Sequence, residues 1–459
     1  MGSERPPEYH LRDVMTVRAA IMTAARGGSV QRDARTPTRI LHRAESLLTP
    51  ALVSALVAGC AGGESASEGL EWRTQVDTVG DTVVVRTLSG SEWGAAQLVA
   101  EIRIGAVEGA DHELFGQITG LAVDAVGSIY VYDAQVPALR KYASDGRYLA
   151  TLGRKGGGPG EYARSDPGGL AVLSDGRVLL RDPRNLRFTV YSSDGEFLES
   201  WRMRTGTYTF TPIVPMADGG FYNPVFPLGK PTRLVRYAAD GTPGDSLALP
   251  EPRVELQTIT AQVEGASQTW AVPFTATSLR AFHPDGYHVS AASNEYAVDL
   301  LRREGGVLRL VKDAESVPVT SEERAAEEQR ATEAMRRLDP SWSWNGPAIP
   351  RTKPILRELY AGEDGRIWVQ LRQPGQRVPD AELQPRPGGR PAAPRFREPV
   401  VFDVFDKDGR YLGRVTAPAR FSTAPRPVFR GDHVWGTETD ELGVQYVLRY
   451  RIAAERGQP

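Results

Sequence analysis

Few residues of this chain have the type and spacing to do chemistry. Gly156-Gly157-Gly158-Pro159-Gly160 is a run of the kind whose backbone N–H groups cradle phosphate. No Gly-Lys-Ser/Thr follows it, and Pro159 removes one donor, so a connector between strands fits better. Arg154 and Lys155, just before it, offer positive charge to a ligand near one face. Asp133, Arg181 and Asp182 end apolar, strand-like runs. That places them at a polar rim, where they either meet a ligand or satisfy turns and ion pairs locally. Asn185, three residues beyond Asp182, reads as turn capping beside Arg187. Trp342 and Trp344 are spaced to offer stacking platforms to a sugar or aromatic ligand, or else to pack an insertion onto the body of the fold. His112, His283, His288 and His433 are scattered, with no His-x-x-x-His pair and no Gly-x-Ser-x-Gly elbow. Cys60 is the only cysteine, which excludes an intrachain disulfide and a multi-cysteine metal site. No catalytic set, resident metal or cofactor is expected from these residues.

The elements that must position them are strands joined by glycine turns. Gly127 and Gly146, Gly176 and Gly195, and Gly286 and Gly305 each stand 19 residues apart (146−127, 195−176, 305−286). Between them lie short β-branched and aromatic runs, such as Ser128-Ile129-Tyr130-Val131-Tyr132 and Phe188-Thr189-Val190-Tyr191, bounded by Asp-Gly turns. A period of about 45 residues built this way predicts propeller blades. Copies recur at Asp218-Gly219, Asp285-Gly286, Asp364-Gly365 and Gly431. The last copy lacks its fourth strand, and residues 98–104 supply a matching one. The expected fold is therefore all-β: a six-bladed β-propeller over residues 97–455, closed by an N-terminal strand, with one inserted helix. Closure of this kind removes the exposed edge of an open array.

Three further segments have their own character. Residues 72–96 contain Arg73 to Thr78 and Thr82 to Thr87 around Gly80-Asp81, a hairpin expected to pack on the ring's edge. Residues 320–339 carry Thr320-x-x-Glu323, a capping box, and Ala331, Met335 and Leu338 at helical spacing. Residues 374–399 are rich in Pro, Gly and Arg and read as an extended loop.

Charge narrows the partners. Lys+Arg 55 against Asp+Glu 57 gives a net charge of −2, so no global field draws nucleic acid. Hydrophobic content of 41% suits a sizeable core, and 47 Gly with 34 Pro suits many tight turns.

Leu152 to Tyr162 resembles the interblade signature of bacterial six-bladed β-propellers related to NHL-repeat proteins. Asp182-Pro183-Arg184-Asn185-Leu186-Arg187-Phe188 is similar to their Asp-x-x-Asn-x-Arg-apolar segment. Near the N-terminus, the apolar run Leu47 to Val57 ends in Val57-Ala58-Gly59-Cys60, which resembles the lipobox of bacterial lipoproteins. Residues 1–59 then form a signal region with a misassigned start, and 60–71 a lipidated Cys60 with a flexible tether. Ala61 after Cys60 is compatible with outer-membrane sorting.

The resemblance implies fold and envelope location more firmly than chemistry. The expected role is a single-copy, lipid-anchored binding or scaffold module for an envelope protein or saccharide. The alternative is a metal-dependent lactonase or lyase with its site at the propeller axis. The axial Asn and acidic residues of calcium-dependent propeller lactonases have no counterpart in Asn185, Asn223, Asn294 and Asn345, which do not recur at one blade position.

Overall fold

The computed structural model describes residues 73–203, 209–226, 231–303, 305–383 and 393–454. The signal region, Cys60 and the tether lie outside the described residues, as do residues 384–392 of the Pro-rich segment. The described chain is mostly β, with one α-helix.

The glycine turns have one geometry. Gly127 donates its N–H to Asp124 O at 3.0 Å, and the equivalent bond recurs at Gly146, Gly176, Gly195, Gly219, Gly241, Gly286, Gly365 and Gly409. Each of these glycines has a positive φ, between 78° and 94°. A side chain is strained in that conformation, so glycine ends the turn and releases the chain into the next strand. At the first turn Asp124 Oδ1 also accepts from Ser128 N at 2.7 Å.

Antiparallel four-stranded meanders result. The first sheet holds Ile118–Val123, Ile129–Asp133, Ala138–Tyr142 and Tyr148–Leu152, and the second Leu170–Val172, Val178–Asp182, Arg187–Tyr191 and Phe197–Arg202. The third holds Val214–Pro215, Phe221–Val225, Arg233–Tyr237 and Pro243–Ala248, and the fourth Ser278–Phe282, His288–Ala292, Ala297–Leu301 and Val307–Lys312. The fifth holds Leu356–Ala361, Ile367–Leu371, Val401–Phe405 and Tyr411–Thr416. The sixth begins with Val428–Arg430, His433–Thr439 and Gln445–Ala454.

Both faces of these sheets are apolar, and each buries itself against a neighbour. Ala122, Tyr130 and Leu180 share a core between the first and second sheets. Leu179, Phe188 and Phe221 fill the next junction, where Phe221 stacks on Tyr237 with ring centroids 4.9 Å apart. Met216, Tyr222 and Leu234 form a thin junction with the fourth sheet, completed by partly buried Phe282. Val289 and Val369 belong to the core between the fourth and fifth, and Trp368, Phe402 and Tyr450 to that between the fifth and sixth. Trp435 and Val447 of the sixth sheet then pack with Ile129 and Val131 of the first.

The N-terminal strands attach to outer edges. We number them β1 (Arg73–Val79), β2 (Thr82–Ser89) and β3 (Ala95–Ile104). β1 and β2 form a hairpin, and β2 runs parallel to Val307–Lys312 on the fourth sheet. β3 pairs antiparallel with Gln445–Ala454, setting Ile102 opposite Arg449 and Ile104 opposite Val447. Its first residues also pair parallel with Arg414 to Thr416, joining the fifth and sixth sheets. Across to the first sheet, Gln445 Oε1 accepts from Ile118 N at 2.6 Å and Arg430 donates to Val123 O at 2.8 Å.

The order of strands gives the body two unlike faces. Turns from first to second and from third to fourth strand all lie at one end of the sheets; these are the tight glycine turns. Connections between sheets, and turns from second to third strand, lie at the other end. Every long insertion falls there: residues 249–277, 313–355 and 372–400.

On the turn face, His283 links two sheets. Its Nε2 donates to Gly365 O at 3.0 Å, and its Nδ1 accepts from Asp285 N at 3.1 Å. The ring stacks on Tyr287 at 4.2 Å and has no exposed surface. Those two bonds need the neutral ring, and burial holds the imidazole below its ordinary value. A lowered folded pKa gives stability that is complete above the unfolded value, near pH ~6.5, and is lost as pH falls from there through the folded value. Thermal unfolding should therefore show a lower midpoint at pH 5.5 than at pH 7.5. In the His283→Gln variant that difference should shrink, leaving the part due to His288, whose pKa burial also lowers.

Candidate functional site

The insertion face carries a cap built from two separate insertions. One is the hairpin Thr258–Val263 with Ala266–Ala271; the other contains helix α1, Ser321–Arg336. Thr320 caps the helix, its side chain accepting from Glu323 N at 3.1 Å. Ala331 and Met335 on one stripe pack against Ile259, Ala261, Trp342 and Ile349. Trp342 is 4% exposed and donates its indole N–H to Thr260 O at 2.9 Å. Trp344 meets Trp342 edge-on at 6.2 Å and donates to Gly346 O at 3.0 Å. The pair therefore glues the helix segment to the hairpin, and Trp342 presents no open face for stacking.

Beneath the cap lies a buried charge cluster. Lys353 Nζ donates to Glu323 Oε1 at 2.7 Å, to Gln373 O at 2.9 Å and to Glu398 Oε1 at 3.1 Å. Its side chain has no exposed surface. Three acceptors for three N–H donors leave this amine nothing to offer a substrate. Glu323 thus serves Lys353 instead of closing the second half of its capping box. Burial works to raise the Glu398 carboxyl, but Arg372, Arg357 and Lys353 outweigh it and hold the group below the usual carboxylate range. The cluster joins α1, the chain entering the fifth sheet and both ends of the Pro-rich segment. Within that segment Gln376–Arg377 pairs with Phe396–Arg397.

Arg181 and Asp182 sit inside the body with no exposed surface. Of the two readings of these residues, they satisfy ion pairs and turns and do not face a ligand at a rim, because the neighbouring sheet covers them. Arg181 donates Nη2 to Asp166 Oδ1 at 2.7 Å, Nη1 to Asn223 Oδ1 at 2.8 Å and Nη2 to Thr211 O at 3.0 Å. Its charge clasps the second sheet to the third. Asp182 accepts from Ala163 N at 2.8 Å and Asn185 Nδ2 at 2.7 Å, tying the connector to the turn. Asp133 repeats this in the first sheet, accepting from Gly116 N at 2.8 Å and Gln117 N at 3.0 Å.

Arg154 and Lys155 remain exposed. Arg154 lines a surface depression of about 360 Å³ with Pro159, Glu161, Tyr191 and Phe197, at the outer rim between the first two sheets. The glycine run beside it already holds an anion, its own. Glu161 Oε2 accepts from Gly158 N at 2.8 Å, and Arg154 donates to Glu161 Oε1 at 2.8 Å. The Gly158 N–H and then Arg154 hold this carboxyl below its ordinary range. Arg187 fixes the loop from behind through Gly158 O at 2.6 Å.

The sequence reading missed Lys353, Glu398, Asp166 and Asp403. Asp403 accepts from Tyr411 at 2.9 Å, and from Tyr296, Lys312 and Arg414 at 3.0 Å each. Burial opposes its charge, but Arg414 and Lys312 prevail and keep its pKa low. A charged residue inside an apolar strand run, as in Val401-Phe402-Asp403-Val404-Phe405, is the signal that points to such a centre. Among the described residues, no group of three or more His, Cys, Asp or Glu is placed to hold a metal ion.

No family model matches the sequence, and no curated protein matches it. Solved structures do resemble it in shape. A member of the duf4221 family from Bacteroides vulgatus is 9% identical, with a TM-score of 0.41 over 79% of this chain and 100% of that one. A gluconolactonase from Xanthomonas campestris is 12% identical, with a TM-score of 0.35 over 77% of this chain and 98% of that one. Virginiamycin B lyase from Staphylococcus aureus is 10% identical, with a TM-score of 0.32 over 82% of this chain and 99% of that one.

Replacing Lys353 by Met leaves Glu323 and Glu398 buried without their shared cation. The Lys353→Met variant should lose about 3–5 kcal/mol in denaturant unfolding. Arg154→Ala, at an exposed ion pair, should change stability by less than about 1 kcal/mol in the same assay.

Proposed function

We propose that this chain is a lipid-anchored envelope protein built as a closed six-bladed β-propeller, and that its insertion-bearing face binds an envelope protein or saccharide. The observation that carries the binding role is the segregation of the two faces. Tight glycine turns occupy one, while the hairpin, α1 and the Pro-rich segment all rise from the other. Variable loops on a rigid scaffold are where proteins place recognition.

Supporting the ring, consecutive sheets share cores in cyclic order, the last with the first. Supporting binding over catalysis, buried charged groups satisfy one another: Lys353 with Glu323 and Glu398 beneath the cap, and Arg181 with Asp166 in the body. Lys155 is exposed to a partner, and Arg154 is exposed beside its ion pair with Glu161. Supporting the anchor, Cys60 ends an apolar run in small residues and precedes a Gly/Ser/Glu-rich stretch. Among the described residues, no helix is long and apolar enough to cross a membrane.

Two measurements test this. Cys60→Ala should move the protein from membrane to soluble fractions, and unchanged retention removes the anchor from the proposal. The purified full chain, immobilised, should capture a defined protein or saccharide from solubilised envelopes. Charge reversal at Arg154 and Lys155 should weaken that capture at least tenfold, whereas Asp240→Ala on the turn face should not. Equal loss from both faces defeats the face assignment, and chelator-sensitive ester hydrolysis by the purified chain replaces binding with the hydrolytic reading.

A further inference from the structure

The outermost strand of the fourth sheet is β1. Among the described residues no strand lies along its outer edge. Six of its seven residues are exposed, Val76 at 61% and Val79 at 69%. An uncovered strand edge presents a row of backbone donors and acceptors to any chain that can lie beside it. Proteins usually guard such edges with lysine, proline or a bulge. β1 has no lysine or proline, and its pairing with β2 is regular from Thr74 to Val79.

The residues of β1 are complementary to themselves. Read antiparallel about Val76, the strand Arg-Thr-Gln-Val-Asp-Thr-Val sets Thr74 opposite Thr78, Gln75 opposite Asp77, and Val76 opposite Val76. β-Branched pairs and an amide–carboxylate pair are favourable cross-strand neighbours, and no like charges stand directly opposite. Arg73 falls diagonal to Asp77 of the other strand, an attractive placement. The faces agree as well. Gln75 Nε2 donates to Asp77 Oδ2 at 2.8 Å within one copy, so those two share a face. Val76 pairs with Val85, which is buried in the core between the fourth and fifth sheets. The Gln75–Asp77 pairs thus fall on one side of the joined strands, where Arg73 stands opposite Val79, and the Val76 pair falls on the other between the Thr74–Thr78 pairs.

We propose that two copies of this chain associate through β1, antiparallel and with the twofold axis at Val76, merging their fourth sheets into one. The single-copy state expected from the sequence took no account of this edge, because composition does not show which strand of a hairpin faces outward. The inference stands apart from the anchor and from the identity of any envelope partner.

Cysteine placement tests both the pairing and its register. In the full-length chain with Cys60→Ala, each introduced thiol is the only one present. Directly opposite Cβ atoms lie about 4.5–5.5 Å apart, near enough for V76C to form a disulfide with its equivalent after modest adjustment. The equivalent thiols of T74C would stand roughly 14 Å apart and cannot join. Under mild oxidation V76C should give a species of doubled mass and T74C should not, while T74C mixed with T78C should. V76K, which sets like charges opposite each other at an exposed site, should raise the dimer dissociation constant at least tenfold in analytical ultracentrifugation. The proposal is overturned if V76C stays single, if T74C joins equally well, or if V76K leaves association unchanged. It is also overturned if V76C is shielded from maleimide in a single-copy protein, which would mean that the chain's own residues 61–72 cover the edge.

Discussion

A four-stranded sheet with two apolar faces cannot be stable alone, and that constraint governs this molecule. Each sheet is a sandwich filling between two others. Ile129 and Val131 face the sixth sheet, while Tyr130 and Tyr132 face the second, and none of the four has any exposed surface. Fully burying one such side chain is worth about 1.5–3 kcal/mol, so the interfaces between sheets, not the hydrogen-bond ladders within them, set the stability of the whole. The junction between the third and fourth sheets, with only Met216, Tyr222 and Leu234 buried, is the least filled.

Three groups of charges enter this interior in matched sets, and each set ties separate parts of the chain together. Arg181, paired with Asp166 on the connector and bonded to Asn223, joins the second sheet to the third. Lys312 and Arg414 with Asp403 join the fourth to the fifth. Lys353 with Glu323 and Glu398 joins the cap to the body. A buried ion pair adds little net stability but forbids most misalignments, because a shifted neighbour would strand a charge out of water. The cluster beneath the cap draws on α1, the connector and the loop, so these three hold position together.

The glycine turns were legible because their requirement is local. A positive φ followed by a strand leaves the same residues at the same spacing in copy after copy, as at Gly127, Gly176 and Gly286. The helix was legible through Thr320 and its apolar stripe. The rest depended on partners far along the chain. Nothing near Trp342 reveals that Thr260 waits for its indole N–H, and the hairpin carrying Thr260 has no glycine turn of the recurring kind. Asp182 and Arg181 stand side by side in sequence at the end of one strand. Strand alternation sends one to the connector and the other into the next sheet, so adjacency in sequence misled as to a shared rim.

The pairing of β3 with Gln445–Ala454 carries a consequence for biosynthesis. Glu101 and Arg451, 350 positions apart, lie within 3.1 Å of each other. β3, the fourth strand of the sixth sheet, therefore waits for its sheet until Gln445–Ala454 has been synthesised. Until then the first sheet has an uncovered flank and β3 has no antiparallel partner. A single long-range pairing thus completes two junctions, and a truncation that removes Gln445–Ala454 would strand β3 and the flank of the first sheet at once.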